Sequence, residues 1–530
     1  MTLPNQSLAP GSACLRCRQR KIKCSGSKPV CAQCKWAEVA DDCEYVGRSQ
    51  RSTISKLQAD VDRLQTRIRE LERKSPATGR SRPSGRPHLR QRHQDPLEPP
   101  AQIRKHLTDL FFESTNELSF SLNITRCRDS VLLPIHPDNH HTRPSTALRS
   151  MIYVWGAHLS QDSSLKQLTE SHLAFALREL ASPDYSRLHP YKLVHTIQAE
   201  VLLARYFIST GKVVEGGYHI SRAKAMAIWG GFMKIRSNQP PVGQSSSTDS
   251  RSTLLPPSAD AIEEGDRIMI FWTVFTLDKL WAVVLDMAGT DTVWDKASGY
   301  YLDTPWPQEP EVYEQGGNFL PEGYSFTTAN FLHGIPTLDR GNSTQAMLAK
   351  AAYCWEYAAD LAREFPKINS SEQYTEFMNL YNQRRRWIEN FLSTMTVPND
   401  VPNRTPDKMA RLLQAHSIAY AAYIQILRVP THGYADAATR TQSIISSAQK
   451  IVKLIGSPFL TNYAWQLVYV ILVESCRTHW NPETIEDLRC GLTFMANFSN
   501  TCGFMKYCFE QMHIVFATID GSTGDDEGRC

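Results

Sequence analysis

No stretch of this 530-residue chain is apolar enough to span a bilayer. The strongest candidate, 268–288, is bounded by Arg267 and broken by Asp278, Lys279 and Asp286. Ten uncharged residues remain, 268–277, against the roughly 20 a transmembrane helix needs. A buried core helix is expected there, with Asp278 and Lys279 as bonded helix polar groups. Residues 1–13 have no apolar core behind a charged start, so no secretory signal and no oxidising compartment are indicated. The chain also lacks G-x4-G-K-[ST], G-x-S-x-G and H-E-x-x-H, the signatures of phosphate cradles, nucleophile elbows and zinc proteases. Strand signals are sparse.

Six of the 13 cysteines crowd near the N-terminus: Cys14, Cys17, Cys24, Cys31, Cys34 and Cys43, spaced C-x2-C-x6-C-x6-C-x2-C-x8-C. A structural zinc takes four ligands, so two tetrahedral zincs need eight ligand slots. Six thiolates fill eight slots only when two sulfurs bridge. The spacing divides into two similar halves, each a C-x2-C followed by a lone cysteine, which favours two metals in pseudo-symmetric loops. Tetrahedral thiolate chemistry and availability favour Zn2+ over other soft metals. A catalytic zinc would need an open position, and six thiolates leave none.

Charge orients this head. Its first half carries Arg16, Arg18, Arg20, Lys21 and Lys23; its second half has Lys35 but also Glu38, Asp41, Asp42 and Glu44. Phosphates attract the first half and repel the second. The first 94 residues hold 20 Lys and Arg against 8 Asp and Glu, while the remainder holds 38 against 46. A basic head on an acidic body is the footprint of a nucleic-acid binder.

The segment Cys14-Leu-Arg-Cys17-Arg-Gln-Arg-Lys-Ile-Lys-Cys24, with Pro29, Cys31, Cys34 and Cys43, resembles the fungal binuclear zinc cluster family (Zn2Cys6 transcription factors). One departure is Ser25, where the family usually has Asp. The resemblance implies two Zn2+ ions, with Cys14 and Cys31 as the bridging thiolates. It implies that a short helix starting near Cys17 enters the major groove. Lys21 is then the base-reading lysine, and CGG triplets in double-stranded DNA are the target. Arg16, Arg18, Arg20 and Lys23 are the accompanying candidates for phosphate contacts or cluster support.

After a linker, 44–53, a second pattern follows. Ile54, Leu57, Val61, Leu64, Ile68 and Leu71 recur at steps of 3, 4, 3, 4 and 3. β-Branched a positions with Leu at d favour a parallel two-stranded coiled coil over 54–74, hence a homodimer. Arg67 and Glu72 can pair across it. Residues 1–13 and the Pro- and Arg-rich stretch 75–100 have the composition of disorder.

Residues 101–518 read as one large all-α domain, with helical periodicity at 103–113, 145–159, 163–181, 190–209, 215–234, 344–365, 372–395, 406–427, 436–456, 462–476 and 483–515. Residues 237–258 read as a flexible insertion and 519–530 as an acidic tail. The stretch 289–341 is rich in Gly, Pro, Tyr and Trp, a long loop of the kind that helps form a pocket. Arg267, Phe271, Trp272, Phe275, Asp278 and Lys279, with Glu215 to Ile228 before them, resemble the fungal transcription factor middle homology region. That region implies a regulatory body, with sensing of a small-molecule effector resting on family analogy. A histidine group, His136, His140 and His141, sits in a Pro- and Asn-containing stretch with no cysteine pair beside it, and no metal site is expected there. The other cysteines (Cys127, Cys354, Cys476, Cys490, Cys502, Cys508 and Cys530) form no second C-x2-C and are expected as buried free thiols.

The expectation is a nuclear, homodimeric, sequence-specific regulator of RNA polymerase II transcription, working with the transcription machinery and not with a membrane. A zinc-containing dimeric scaffold, or an enzyme with an accessory zinc module, are the competing readings. The Arg and Lys run between ligands opposes the first, and the missing catalytic groups oppose the second.

Overall fold

The computed structural model describes residues 13–37, 39–40, 43, 45, 98–115, 118–134, 142–160, 162–181, 190–237, 257–284, 302–317, 326–335, 341–396, 405–429, 437–455, 482–499 and 503–520. The chain divides into two compact units, Met1–Gln91 and Arg92–Cys530.

In the first unit, two five-residue helices, α1 (Leu15–Gln19) and α2 (Ala32–Trp36), pack together. The expected coiled coil at 54–74, the linker residues 46–53 and 75–97 that flank it and the insertion core at 238–256 lie outside the described residues, whereas Glu98 to Pro100, at the end of the expected disordered stretch, are described.

The second unit is helical, with no strand among the described residues. It contains α3 (Ala101–Glu113), α4 (Ile124–Leu132), α5 (Thr146–Leu159), α6 (Lys166–Ala181), α7 (Pro190–Ser209) and α8 (Val213–Trp229). Next come α9 (Ala261–Val284), α10 (Pro310–Glu314), α11 (Thr327–Leu332), α12 (Thr344–Glu364) and α13 (Ser371–Thr394). The last four are α14 (Pro406–Leu427), α15 (Ala437–Ile455), α16 (Pro482–Ser499) and α17 (Gly503–Asp520).

Side-chain caps start many of these helices. Asn123, Ser145, Ser343, Ser370 and Thr405 each accept an N–H three residues on, and Pro406 follows the last of them at the first helical position. Sequential neighbours pack as pairs: α5 with α6, α7 with α8, α16 with α17. The centre is α9, which packs against α7, α8 and α12, while α12 packs on α14. Almost every α9 side chain from Glu263 to Trp281 is buried, as expected of a helix apolar on all faces. Gly156 of α5 lies against α3 so closely that a Cβ there would sit 2.2 Å from the Leu107 carbonyl oxygen.

Three details differ from the sequence reading. Residues 483–515 fall in two helices, α16 ending at Ser499 and α17 starting at Gly503, a residue type that disfavours helix interiors. The helix expected at 215–234 ends at Trp229, followed by Gly230 and a left-handed Gly231. Helices α4, α10 and α11 are absent from the sequence reading, being short. The helix expected at 462–476 lies outside the described residues.

Candidate metal centre and nucleic-acid interface

The head is a repeat offset by 17 residues. Cys14 caps α1 and its Sγ accepts the Cys17 N–H at 3.4 Å; Cys31 caps α2 and its Sγ accepts the Cys34 N–H at 3.4 Å. The carbonyls of Cys14 and Cys31 accept from Arg18 and Lys35, and those of Cys17 and Cys34 accept from Ile22 and Val39. C-x2-C is the spacing that lets one cysteine cap the helix whose first turn carries the next.

All six cysteines are buried, and none is in a disulfide. Their sulfurs form two quartets, each with all Sγ atoms within 4.8 Å of one another: Cys14, Cys17, Cys24, Cys31 and Cys14, Cys31, Cys34, Cys43. Cys14 and Cys31 belong to both, as the slot count requires. The sulfur separations are 3.8 Å for Cys14–Cys31, 3.8 Å for Cys14–Cys34 and 3.6 Å for Cys17–Cys31. A tetrahedron with Zn–S bonds near 2.3 Å has edges of about 3.8 Å, so the donor set fits zinc in both type and size. Burial opposes ionisation of Cys14 and Cys31, but the N–H donors of Cys17 and Cys34 hold both thiols below the ordinary range. Burial and the neighbouring Cys31 and Cys14 sulfurs push Cys34 up to about 12.

Ser25 compensates for its departure from the family pattern. Its hydroxyl accepts the Ala32 N–H at 2.8 Å and its own N–H donates to Gln33 Oε1 at 2.8 Å, tying the third-cysteine loop to α2. Tyr45 closes the same loop, its hydroxyl donating to the Ser27 carbonyl at 2.9 Å. Neither role is legible in the sequence: Gln33 reads as one of the two spacer residues between Cys31 and Cys34, and Tyr45 lies beyond the last ligand.

Arg18, Arg20, Lys21 and Lys23 are exposed, and Arg16 is half-buried. Lys21 has φ 55°, a left-handed conformation. It follows the α1 C-cap, with its N–H on the Arg18 carbonyl and the Ile22 N–H on the Cys17 carbonyl. This is the position where helices favour glycine. A lysine there is held at a cost, at the end of the basic helix.

In the body, the second motif is structural. Trp272 is fully buried, donates Nε1–H to the Pro305 carbonyl at 2.7 Å and stacks on Trp306 at 4.3 Å. Arg267 pairs with Glu263 at 2.6 Å, Asp278 with Lys224 at 3.0 Å and Lys279 with Glu356 at 2.7 Å. Asp278 and Lys279 therefore point to different partners, as bonded helix polar groups. Cys127, Cys354 and Cys508 are buried thiols as expected, whereas Cys490 is exposed. It lies on α16, near the C-terminal end of the described residues. Cys476, Cys502, Cys530 and the three loop histidines lie outside the described residues. No described helix is long and apolar enough to cross a membrane.

Residues 12–52 match the fungal Zn(2)-Cys(6) binuclear cluster domain. Residues 123–286, from the α4 cap through α9, match the fungal specific transcription factor domain. Both are transcription factor domains, which are in general non-enzymatic and nuclear. No curated protein and no solved structure matches the chain. The chain thus carries the domain pair of a fungal transcription factor, and its clustered cysteines imply two zinc ions.

Proposed function

We propose that this protein is a nuclear regulator of RNA polymerase II transcription that reads CGG triplets as a homodimer. The six cysteines hold two Zn2+ ions, with Cys14 and Cys31 shared. The zincs fold the head, since a preformed site rarely exists without metal. Six thiolates and two divalent cations sum to a charge of −2, which the adjacent Arg and Lys side chains offset. Lys21 donates to guanine O6 and N7, while Arg16, Arg18, Arg20 and Lys23 hold phosphates or support the cluster. Residues 54–74 pair two heads, and residues 101–518 regulate the output.

The observation that carries this reading is the contrast between the halves of the repeat. The α1 half ends in an exposed, left-handed Lys21 amid basic residues. Seventeen residues on, the same position is Glu38, followed by Asp41, Asp42 and Glu44. The first half of the sequence repeat is thereby basic and the second acidic, so phosphates attract the first and repel the second.

The test is fluorescence anisotropy with the full chain at fixed salt, on a paired-CGG duplex and on a scrambled duplex. Lys21→Ala should weaken CGG binding by about tenfold or more and scrambled binding much less, since a good base pairing contributes about 1–3 kcal/mol of discrimination. Equal losses on both would reduce Lys21 to a phosphate contact. Leu64→Pro should leave single-site binding and abolish the gain from a paired site.

A further inference from the structure

The body contains a cleft of about 560 Å³, within the range of roughly 300–1,000 Å³ typical of small-ligand sites. Its walls are the segment around α10, residues 341–344 leading into α12, and the first turns of α14. These walls are pinned together. The Ser343 hydroxyl donates to the Pro307 carbonyl, and Glu309 accepts the Thr344 N–H at 2.7 Å. Lys350, buried against the rings of Trp306 and Phe331, donates to the Gly341 carbonyl at 2.9 Å. Gly341 has φ 57°, and a Cβ there would lie 2.5 Å from Trp306, so only glycine lets this wall close on the indole. The cleft is therefore built into the fold and needs no ligand to form.

Its polar feature is asymmetric. Lys408 Nζ lies 2.7 Å from Glu311 Oε1, but the lysine side chain is 8% exposed and the glutamate side chain 48%. A desolvated ammonium requires an anionic partner, whereas a half-solvated carboxylate can return to water. Arg411, one turn along α14, adds positive charge and donates Nε–H to the Thr344 hydroxyl at 3.3 Å. Pro307, Val312 and Met347 supply apolar surface beside this charged end, backed by the buried Leu412.

We propose that this cleft binds a small organic acid. Its carboxylate takes the place of Glu311 on Lys408, and its apolar body lies on Pro307, Val312 and Met347. Glu311 is the internal stand-in for the ligand. Because the Lys408–Glu311 pair ties α10 to α14, occupancy releases α10 from that bond. The inference goes beyond the DNA-binding reading, and its test involves no DNA, so either can fail alone.

The experiment is calorimetric titration and thermal denaturation of the full chain with decanoate and 1-naphthaleneacetate, each against its primary amide. At least one acid should bind and raise the melting temperature, with its amide at least tenfold weaker. Glu311→Gln should tighten acid binding several-fold by removing the competitor. Lys408→Met should abolish it. Binding of neither acid, equal binding of acid and amide, or no gain in Glu311→Gln would overturn the proposal. The Glu311→Gln arm retains its force if Lys408→Met does not fold.

Discussion

The Sγ atoms of Cys14 and Cys31 lie 3.8 Å apart, and each sulfur belongs to both thiolate quartets of the head. Each also caps one of the two short helices. The metal centre and the local fold thus depend on the same two atoms.

Loss of a shared sulfur should therefore differ from loss of an unshared one. Cys31→Ala removes a donor from both quartets and a helix cap, and it should yield a head with no zinc. Cys43→Ala removes a donor from one quartet and should keep zinc in the other. Native mass spectrometry of the full chain reads the stoichiometry directly; equal loss in the two variants would contradict shared ligation.

Lys21 separates stability from recognition. Glycine tolerates φ 55° where lysine is strained, so Lys21→Gly should stabilise the metal-loaded head by about 1 kcal/mol. The same change should remove preference for CGG. A variant that loses both stability and binding would show the lysine to be a structural residue.

Glu98 enters a nest of guanidinium groups at the start of the body. It lies 3.0 Å from Arg143, 3.0 Å from Arg149 and 3.7 Å from Arg104, and it accepts the Tyr153 hydroxyl at 2.9 Å. Burial works against the charged form, but Arg149 and Arg143 prevail and hold the carboxylate below its ordinary 4.5. Its stabilisation is complete above pH 4.5 and is lost as pH falls through the lower folded value. Glu98→Gln should cost about 3 kcal/mol at neutral pH and flatten the acid limb of a urea-midpoint profile. An unchanged acid limb would refute the assignment.

Asp266 predicts the opposite slope. It accepts the Asn123 N–H at 2.7 Å, yet burial pushes it from 3.8 up to about 7. The folded state then holds a proton that the unfolded state has released, so this contribution is complete below pH 3.8 and declines as pH rises toward 7. Asp266→Asn, which keeps an acceptor oxygen, should gain stability relative to the parent on going from pH 4 to pH 7. Parallel profiles for the two proteins would contradict the raised value.

The head was legible because its ligands are local: spacing alone yields the slot count, the two halves and the bridging arithmetic. The left-handed Lys21 was not legible, since lysine carries no signal for that backbone region. Ser25 reads as a departure in sequence, and only its bonds to Ala32 and Gln33 reveal how the loop is held. In the body, periodicity located α9 and its long neighbours. It did not reveal that Lys279 meets Glu356, because that pairing depends on how α9 and α12 pack. The loop expected to help form a pocket does so through Pro307 to Gln315 and Gly341, with α14 supplying the cation that gives the cleft its chemistry.

The most direct test of the central claim is selection of duplexes from a random library by the zinc-loaded full chain, alongside Lys21→Ala. The account predicts enrichment of CGG triplets by the parent and loss of that enrichment in Lys21→Ala, with residual salt-sensitive binding to all sequences. Absence of any enriched sequence in the parent, or an unchanged CGG motif in Lys21→Ala, would contradict it.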